Sequence, residues 1–281
     1  MHLQIPDGYE FIQRGAAQIV VHAKYRDCLL EQGIDRPDLL FQKALPDERR
    51  GRGSIRVLPL TGRPGERLII RQCLRGGLVR FINRDVYLRW HRPLQELAVS
   101  VQAAAAGLPT AQVLAAVSLR VARGWKGYLF IQELAGYDDV PTYLKFLQQQ
   151  NPTDFFSAKR AMLRSIAALV TLMHECGFEH GDLNLKNFLI NINNPNCLAL
   201  IDWDKSRVHT SLTTTARRKN VLRLCRSVLK FSHAGYPLNL HDAAYLLQTL
   251  SSSIGCFRRD FMRLRFTTRL RSTVWRQPLQ R

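Results

Sequence analysis

Between positions 157 and 175 the apolar residues Met162, Leu163, Ile166, Leu169, Val170 and Met173 recur at helical spacing, and Gly177 ends the pattern. This stripe predicts a core helix that holds whatever follows it rigidly. The period then changes. Phe188-Leu-Ile190 and Leu198-Ala-Leu-Ile201 are short apolar runs separated by Asn193, Asn194, Pro195 and Asn196, which predicts a hairpin. Helical spacing returns over 217–231, where Val221, Leu222, Leu224, Val228 and Leu229 oppose basic residues, and again over 241–250.

The first half reads mainly as strands. Gln18–His22 predicts a strand, followed by a helix through Tyr25–Leu30 that Gly33 ends. Residues 37–48, with Leu39, Leu40, Phe41 and Leu45, predict a strand entering Arg49-Arg50-Gly51-Arg52-Gly53. Ser54–Leu60 and Arg67–Leu74 are strand-like runs around a Gly/Pro turn at 61–65. A helix opened by Pro93 closes at Gly107, a strand covers Gly127–Gln132, residues 133–136 form a linker, and a helix spans about 141–150. Strand, glycine loop, strand, turn and strand is the order in which a kinase small lobe begins. The expected organisation is an N-terminal extension over 1–36, a small lobe over 37–134, a large lobe over 135–250 and a basic segment over 251–281.

The hairpin carries the chemistry. Asp182 and Asn187 lie on one loop, five positions apart, and Asp202 closes the second apolar run. Folding the chain at Asn193–Asn196 returns Asp202 to the neighbourhood of Asn187. One carboxamide and one carboxylate then share a hard cation such as Mg2+, while Asp182 faces a hydroxyl as base or orienting carboxylate. Phosphoryl transfer from ATP needs these groups, because positioning and charge neutralisation supply nearly all of its catalysis. His180 is read as a brace for the loop, and the roles of Asn184, Lys186 and Asp204 stay open.

In the small lobe Arg71 stands where a protein kinase shows its phosphate-holding lysine. A guanidinium can hold phosphates and pair with a carboxylate, for which Glu96 is the natural partner, although a plain surface role fits position 71 equally. Gly51 and Gly53 either let backbone N–H groups approach a triphosphate or form an ordinary turn. Glu133 and Leu134 fit a linker whose backbone meets an adenine edge.

Composition narrows the setting. At 46% hydrophobic residues over 281 positions the chain can build a substantial core. Its six cysteines show no C-x-x-C pair, which argues against a disulfide framework or a zinc site. No long apolar run predicts a membrane span, and the first residues lack a signal-peptide pattern, so a cytosolic location is expected. The formal charge is +19, concentrated over 49–92 and 217–281, which points to a polyanionic partner. No nucleic-acid recognition motif accompanies it.

Against protein kinases, the chain has His-Gly-Asp in place of His-Arg-Asp, Asp-Trp-Asp in place of Asp-Phe-Gly, and no Ala-Pro-Glu. Few residues separate Asp202 from the next helix, leaving little room for a peptide-docking loop. A small or glycolipid hydroxyl is the expected acceptor.

These positions resemble the lipopolysaccharide core kinases, most closely the 3-deoxy-D-manno-octulosonic acid (Kdo) kinases. The resemblance runs through 68–80, 85–88, Arg92–Glu96, 106–110, His180–Asn187, Ile201–Asp204 and Asn220–Lys230. Gln72, where an aromatic residue or His is expected, and Trp203, where Phe is usual, depart from that pattern. The resemblance implies an α+β, protein-kinase-like bilobal fold, with a small antiparallel sheet lobe plus one helix and a larger, mainly helical lobe. It also implies ATP- and Mg2+-dependent phosphorylation of Kdo on a lipid A precursor by a peripheral protein at the cytosolic face of the bacterial inner membrane. Arg75 and Arg80 would then hold the anionic acceptor, and an anionic membrane surface rather than nucleic acid would be the partner. Alternatives are a heptose or aminoglycoside-type kinase and a non-catalytic, polyanion-binding kinase fold.

Overall fold

The computed structural model describes residues 4–46, 55–74, 85–150, 152–251 and 262. The chain divides into two compact units, Met1–Ala105 with Thr110–Ala135, and Ala106–Pro109 with Gly136–Arg281. Gly51, Gly53, Arg75 and Arg80 lie outside the described residues, as does nearly all of the basic segment 251–281.

The first unit contains, in order, β1 (Tyr9–Arg14), β2 (Ala17–His22), α1 (Arg26–Gln32), α2 (Pro37–Lys43), β3 (Leu45–Pro46), β4 (Ile55–Pro59), β5 (Arg67–Cys73), α3 (Arg92–Ala105), β6 (Val113–Val121) and β7 (Gly124–Gln132). Its strands form one antiparallel sheet in the order β1-β2-β6-β7-β5-β4-β3. Residues 9–22, set apart in sequence as part of an extension, pair into this sheet through β2 and β6. The strand expected over 37–48 is a correction: Pro37–Lys43 is a helix, and among the described residues of that stretch the strand is confined to Leu45–Pro46. Pro37 at the first turn presets helical φ, Asp38 sits near the positive end of the helix dipole, and Leu40 packs into the core.

Strand alternation decides what each face of the sheet does. On β5, Leu68 and Ile70 point into a core shared with Val21, Tyr25, Leu29 and Phe130, the face that α1 and α2 help cover. Residues of opposite parity, with Cys73 among them, face Leu94 and Leu97 of α3. Arg71 has the parity of Cys73, so periodicity alone delivers its side chain to the α3 face. Gly127 is paired with Cys73, and a Cβ there would stand 3.2 Å from Cys73 Cβ and 3.3 Å from Pro93 Cδ. Its absence lets the first turn of α3 rest close against the sheet.

The second unit contains β8 (Tyr137–Asp139), α4 (Val140–Gln150), α5 (Phe155–Glu175), β9 (Phe178–Glu179), β10 (Phe188–Asn191), β11 (Leu198–Leu200), β12 (Arg207–Val208), α6 (Thr214–His233) and α7 (Leu240–Ser251). The predicted stripe is buried on α5: Leu163, Ile166, Val170 and Met173 are solvent-free or nearly so. Burial of each such side chain contributes about 1.5–3 kcal/mol. Lys159 of α5 pairs with Asp242 of α7 at 3.0 Å, both largely buried, and its ammonium also reaches the Pro237 carbonyl at 3.3 Å. The hairpin forms as predicted, with Phe188 opposite Leu200 and Ile190 opposite Leu198. Among the described residues no helix is long and apolar enough to cross a membrane.

Candidate active site

His180 links the backbone at Asp182 to the backbone at Ile201, next to Asp202. Its Nδ1 accepts the backbone N–H of Asp182 at 3.1 Å, which leaves the proton on Nε2, and Nε2 donates to the Ile201 carbonyl at 3.2 Å. The ring is fully buried, and burial pushes its pKa down against the opposing pull of Asp202 and Asp182. A neutral imidazole thus ties the loop that carries Asp182 to the residue preceding Asp202. The Ile201 N–H donates to the Asn187 carbonyl at 2.9 Å, a second tie between the same two segments. Asp182, Asn187 and Asp202 are brought to one place by these bonds.

Asn187 uses its Nδ2 to donate to the Asp182 carbonyl at 2.8 Å, which leaves Oδ1 as a donor for a cation. Asp202 has φ +68°, a left-handed conformation that costs a non-glycine residue roughly 1 kcal/mol and that surrounding structure must enforce. Trp203 supplies part of that enforcement. It is 2% exposed and packs its ring 5.6 Å from Phe178 and 5.1 Å from His180. No group of three or more His, Cys, Asp or Glu side chains among the described residues forms a metal cluster. One carboxamide oxygen and one carboxylate nevertheless fit Mg2+, which usually takes few protein oxygens and completes its shell with water and phosphate.

Glycine at position 181 has a steric cause. A Cβ there would stand 2.1 Å from the Asp204 carbonyl and 2.7 Å from the Lys205 carbonyl carbon. The Gly181 N–H donates to Ser206 Oγ at 2.9 Å, so the loop lies directly on the segment after Asp202. An arginine at this position, as in protein kinases, has no room.

The loop is braced from behind by α6, which the sequence reading did not include in the site. Asn220 Oδ1 accepts the His180 N–H at 3.0 Å and its Nδ2 donates to the His180 carbonyl at 2.9 Å. Arg223 donates to the His180 carbonyl at 3.3 Å and to that of Gly181, and Ser227 Oγ accepts the Leu185 N–H at 3.0 Å. The available signal was spacing. Positions 220, 223 and 227 share one helix face, and two of them place polar groups among buried apolar ones.

In the first unit Arg71 of β5 pairs with Glu96 of α3 through its Nη2 and the Glu96 Oε1. Both side chains are largely buried, at 18% and 8% exposed, and a buried guanidinium and carboxylate require such pairing. Glu133 pairs its side chain with Arg67 at 3.1 Å, and its N–H donates to the Arg67 carbonyl at 2.9 Å. That N–H is therefore consumed by the sheet, which leaves the Glu133 carbonyl and the Leu134 backbone for a base edge. Lys186 is exposed and holds its Nζ 5.9 Å from the Phe231 ring of α6.

Residues 42–248 match the family described as the lipopolysaccharide kinase (Kdo/WaaP) family. The chain belongs to that family. Among its relatives are the 3-deoxy-D-manno-octulosonic acid kinases of Xylella fastidiosa (strain M12) and Xanthomonas oryzae pv. oryzae (strain PXO99A). The first is 27% identical over 206 residues, 72% of this chain and 76% of that protein. The second is 28% identical over 199 residues, 69% and 73% respectively. A solved structure, WaaP in complex with acyl carrier protein, superposes with a TM-score of 0.54 at 19% identity, over 86% of this chain and 93% of that one. That likeness shows the fold, which is protein-kinase-like. The small unit of this lipopolysaccharide-family kinase carries two short helices, α1 and α2, besides the single helix expected.

Proposed function

We propose that this kinase transfers the γ-phosphate of ATP, with Mg2+, to a hydroxyl of Kdo on a lipid A precursor. The observation that carries the reading is the pair of ties, through His180 and through the Ile201–Asn187 bond, that gathers Asp182, Asn187 and Asp202. Asp182 accepts the acceptor hydroxyl's proton as its oxygen bonds to the γ-phosphorus. The bond from that phosphorus to the bridging oxygen breaks, and ADP leaves. Asn187 and Asp202 hold the magnesium ion, which neutralises charge on the phosphates when bound. Arg71, oriented by Glu96, holds phosphate oxygens, and the backbone at Glu133 and Leu134 meets the base. Gly51 and Gly53 would line the triphosphate, and Arg75 and Arg80 the anionic acceptor.

The relatives named as Kdo kinases support Kdo as the acceptor sugar. The charge of +19 supports work at an anionic surface, the cytosolic face of the inner membrane. Mass spectrometry of a Kdo-bearing lipid A precursor incubated with the protein, ATP and Mg2+ tests the reading through one added phosphate. Phosphate appearing only on heptosylated core or on an aminoglycoside would reassign the acceptor, and none on any acceptor would remove the reading.

A further inference from the structure

Asn184 occupies a fixed place between Asp182 and the turn that carries Asn187. It caps the short helical turn Leu185–Asn187, its Oδ1 accepting the Lys186 N–H at 2.9 Å. Because the cap requires oxygen on that side, the amide cannot flip, and its nitrogen must face the other way. There Nδ2 donates to the Asp182 carbonyl at 3.1 Å and to the Asp182 carboxylate Oδ2 at 3.0 Å. Asp182 is exposed, and the terminal torsion of an exposed aspartate is a broad, two-fold well that nothing local would otherwise narrow. The cap therefore fixes a donor, and the donor fixes a carboxylate.

We propose that Asn184 is a positioning residue for phosphoryl transfer: its amide engages Oδ2 of Asp182 and thereby presents Oδ1 to the acceptor hydroxyl. This rests on the role proposed for Asp182. Misplacement of a proton acceptor by a fraction of the reacting distance lowers turnover far more than binding, because the contact is completed only as the reaction proceeds. Lys186, whose ammonium is directed to Phe231, leaves this orienting task to the asparagine.

The cap and the clamp can be separated, since an aspartate caps a helical turn as well as asparagine does but has no N–H to give. N184D and N184A are compared with wild type in steady-state transfer to a Kdo-bearing lipid A precursor and in thermal unfolding. N184D is expected to keep its melting temperature within about 2 °C of wild type. It should lose at least about tenfold in kcat while KM for ATP and for acceptor stays within about twofold. N184A, lacking cap and clamp, should lose at least as much turnover and melt lower. Three results would overturn the proposal: wild-type kcat in N184D, a loss confined to KM, or failure of N184D to fold. Wild-type protein inactive on every acceptor would instead remove the function proposed above, and this role with it.

Discussion

The side-chain amide of Asn220 pairs with both backbone polar groups of His180, accepting its N–H at 3.0 Å and donating to its carbonyl at 2.9 Å. A helix side chain thus does the work of a neighbouring strand, at a buried position where water cannot substitute. Asn220→Ala leaves the buried His180 N–H unpaired, leaves its carbonyl to Arg223 and takes the Oδ1 contact from His174 Nε2, and each buried group left unpaired costs about 1–3 kcal/mol. Urea unfolding should show a loss of at least about 2 kcal/mol, with kinase activity falling alongside. An unchanged midpoint would mean that the loop is held by other means.

Position 71 offers a test of side-chain chemistry at constant charge. Arg71→Lys keeps a cation but loses the planar fork that suits a carboxylate and phosphate oxygens together. The expected effect is a rise in KM for ATP of about tenfold, with a smaller change in acceptor KM. Glu96→Gln, which removes the anion that orients the guanidinium, should shift the same parameter in the same direction. Wild-type ATP kinetics in both variants would detach the pair from nucleotide binding.

Gly181→Ala should be poorly tolerated for a steric reason, because the added methyl meets the Asp204 carbonyl at 2.1 Å and backbone cannot yield as a side-chain tip can. A stability loss of about 2 kcal/mol or more is expected, together with near-complete loss of turnover. Calorimetry and a transfer assay on the same preparation check this.

Acid should destabilise the protein through His174. Burial lowers this imidazole from 6.5 to about 4, with Arg217 adding to the shift and the Asn220 contact opposing it. Between those two values the unfolded chain binds a proton that the folded chain refuses, so stability falls as pH drops through the window. The full term is about 3 kcal/mol. His180, also lowered by burial, acts with the same sign. Urea midpoints followed from pH 7 to pH 4.5 should fall more steeply for wild type than for His174→Gln, and parallel slopes would contradict the assignment.

The return of Asp202 to the neighbourhood of Asn187 was legible because two short apolar runs around an Asn/Pro turn leave few alternatives to a hairpin. The long helices were legible from period alone. Residues 37–43 were not, because a helix of two turns that buries little beyond Pro37 and Leu40 shows no repeat to count. Strand β1 was missed for a related reason. As an edge strand it half-buries only Tyr9 and Ile12 and exposes the rest. The bracing by Asn220, Arg223 and Ser227 joins residues about forty positions apart, a relationship that only tertiary packing creates.

Arg71 has no primary amine to offer. Reagents that mark nucleotide pockets by acylating a lysine would leave this position untouched, since a guanidinium stays protonated and unreactive near neutrality. A proteome survey that counts such adducts would file the protein with degenerate homologues, even though its ion pair with Glu96 is intact.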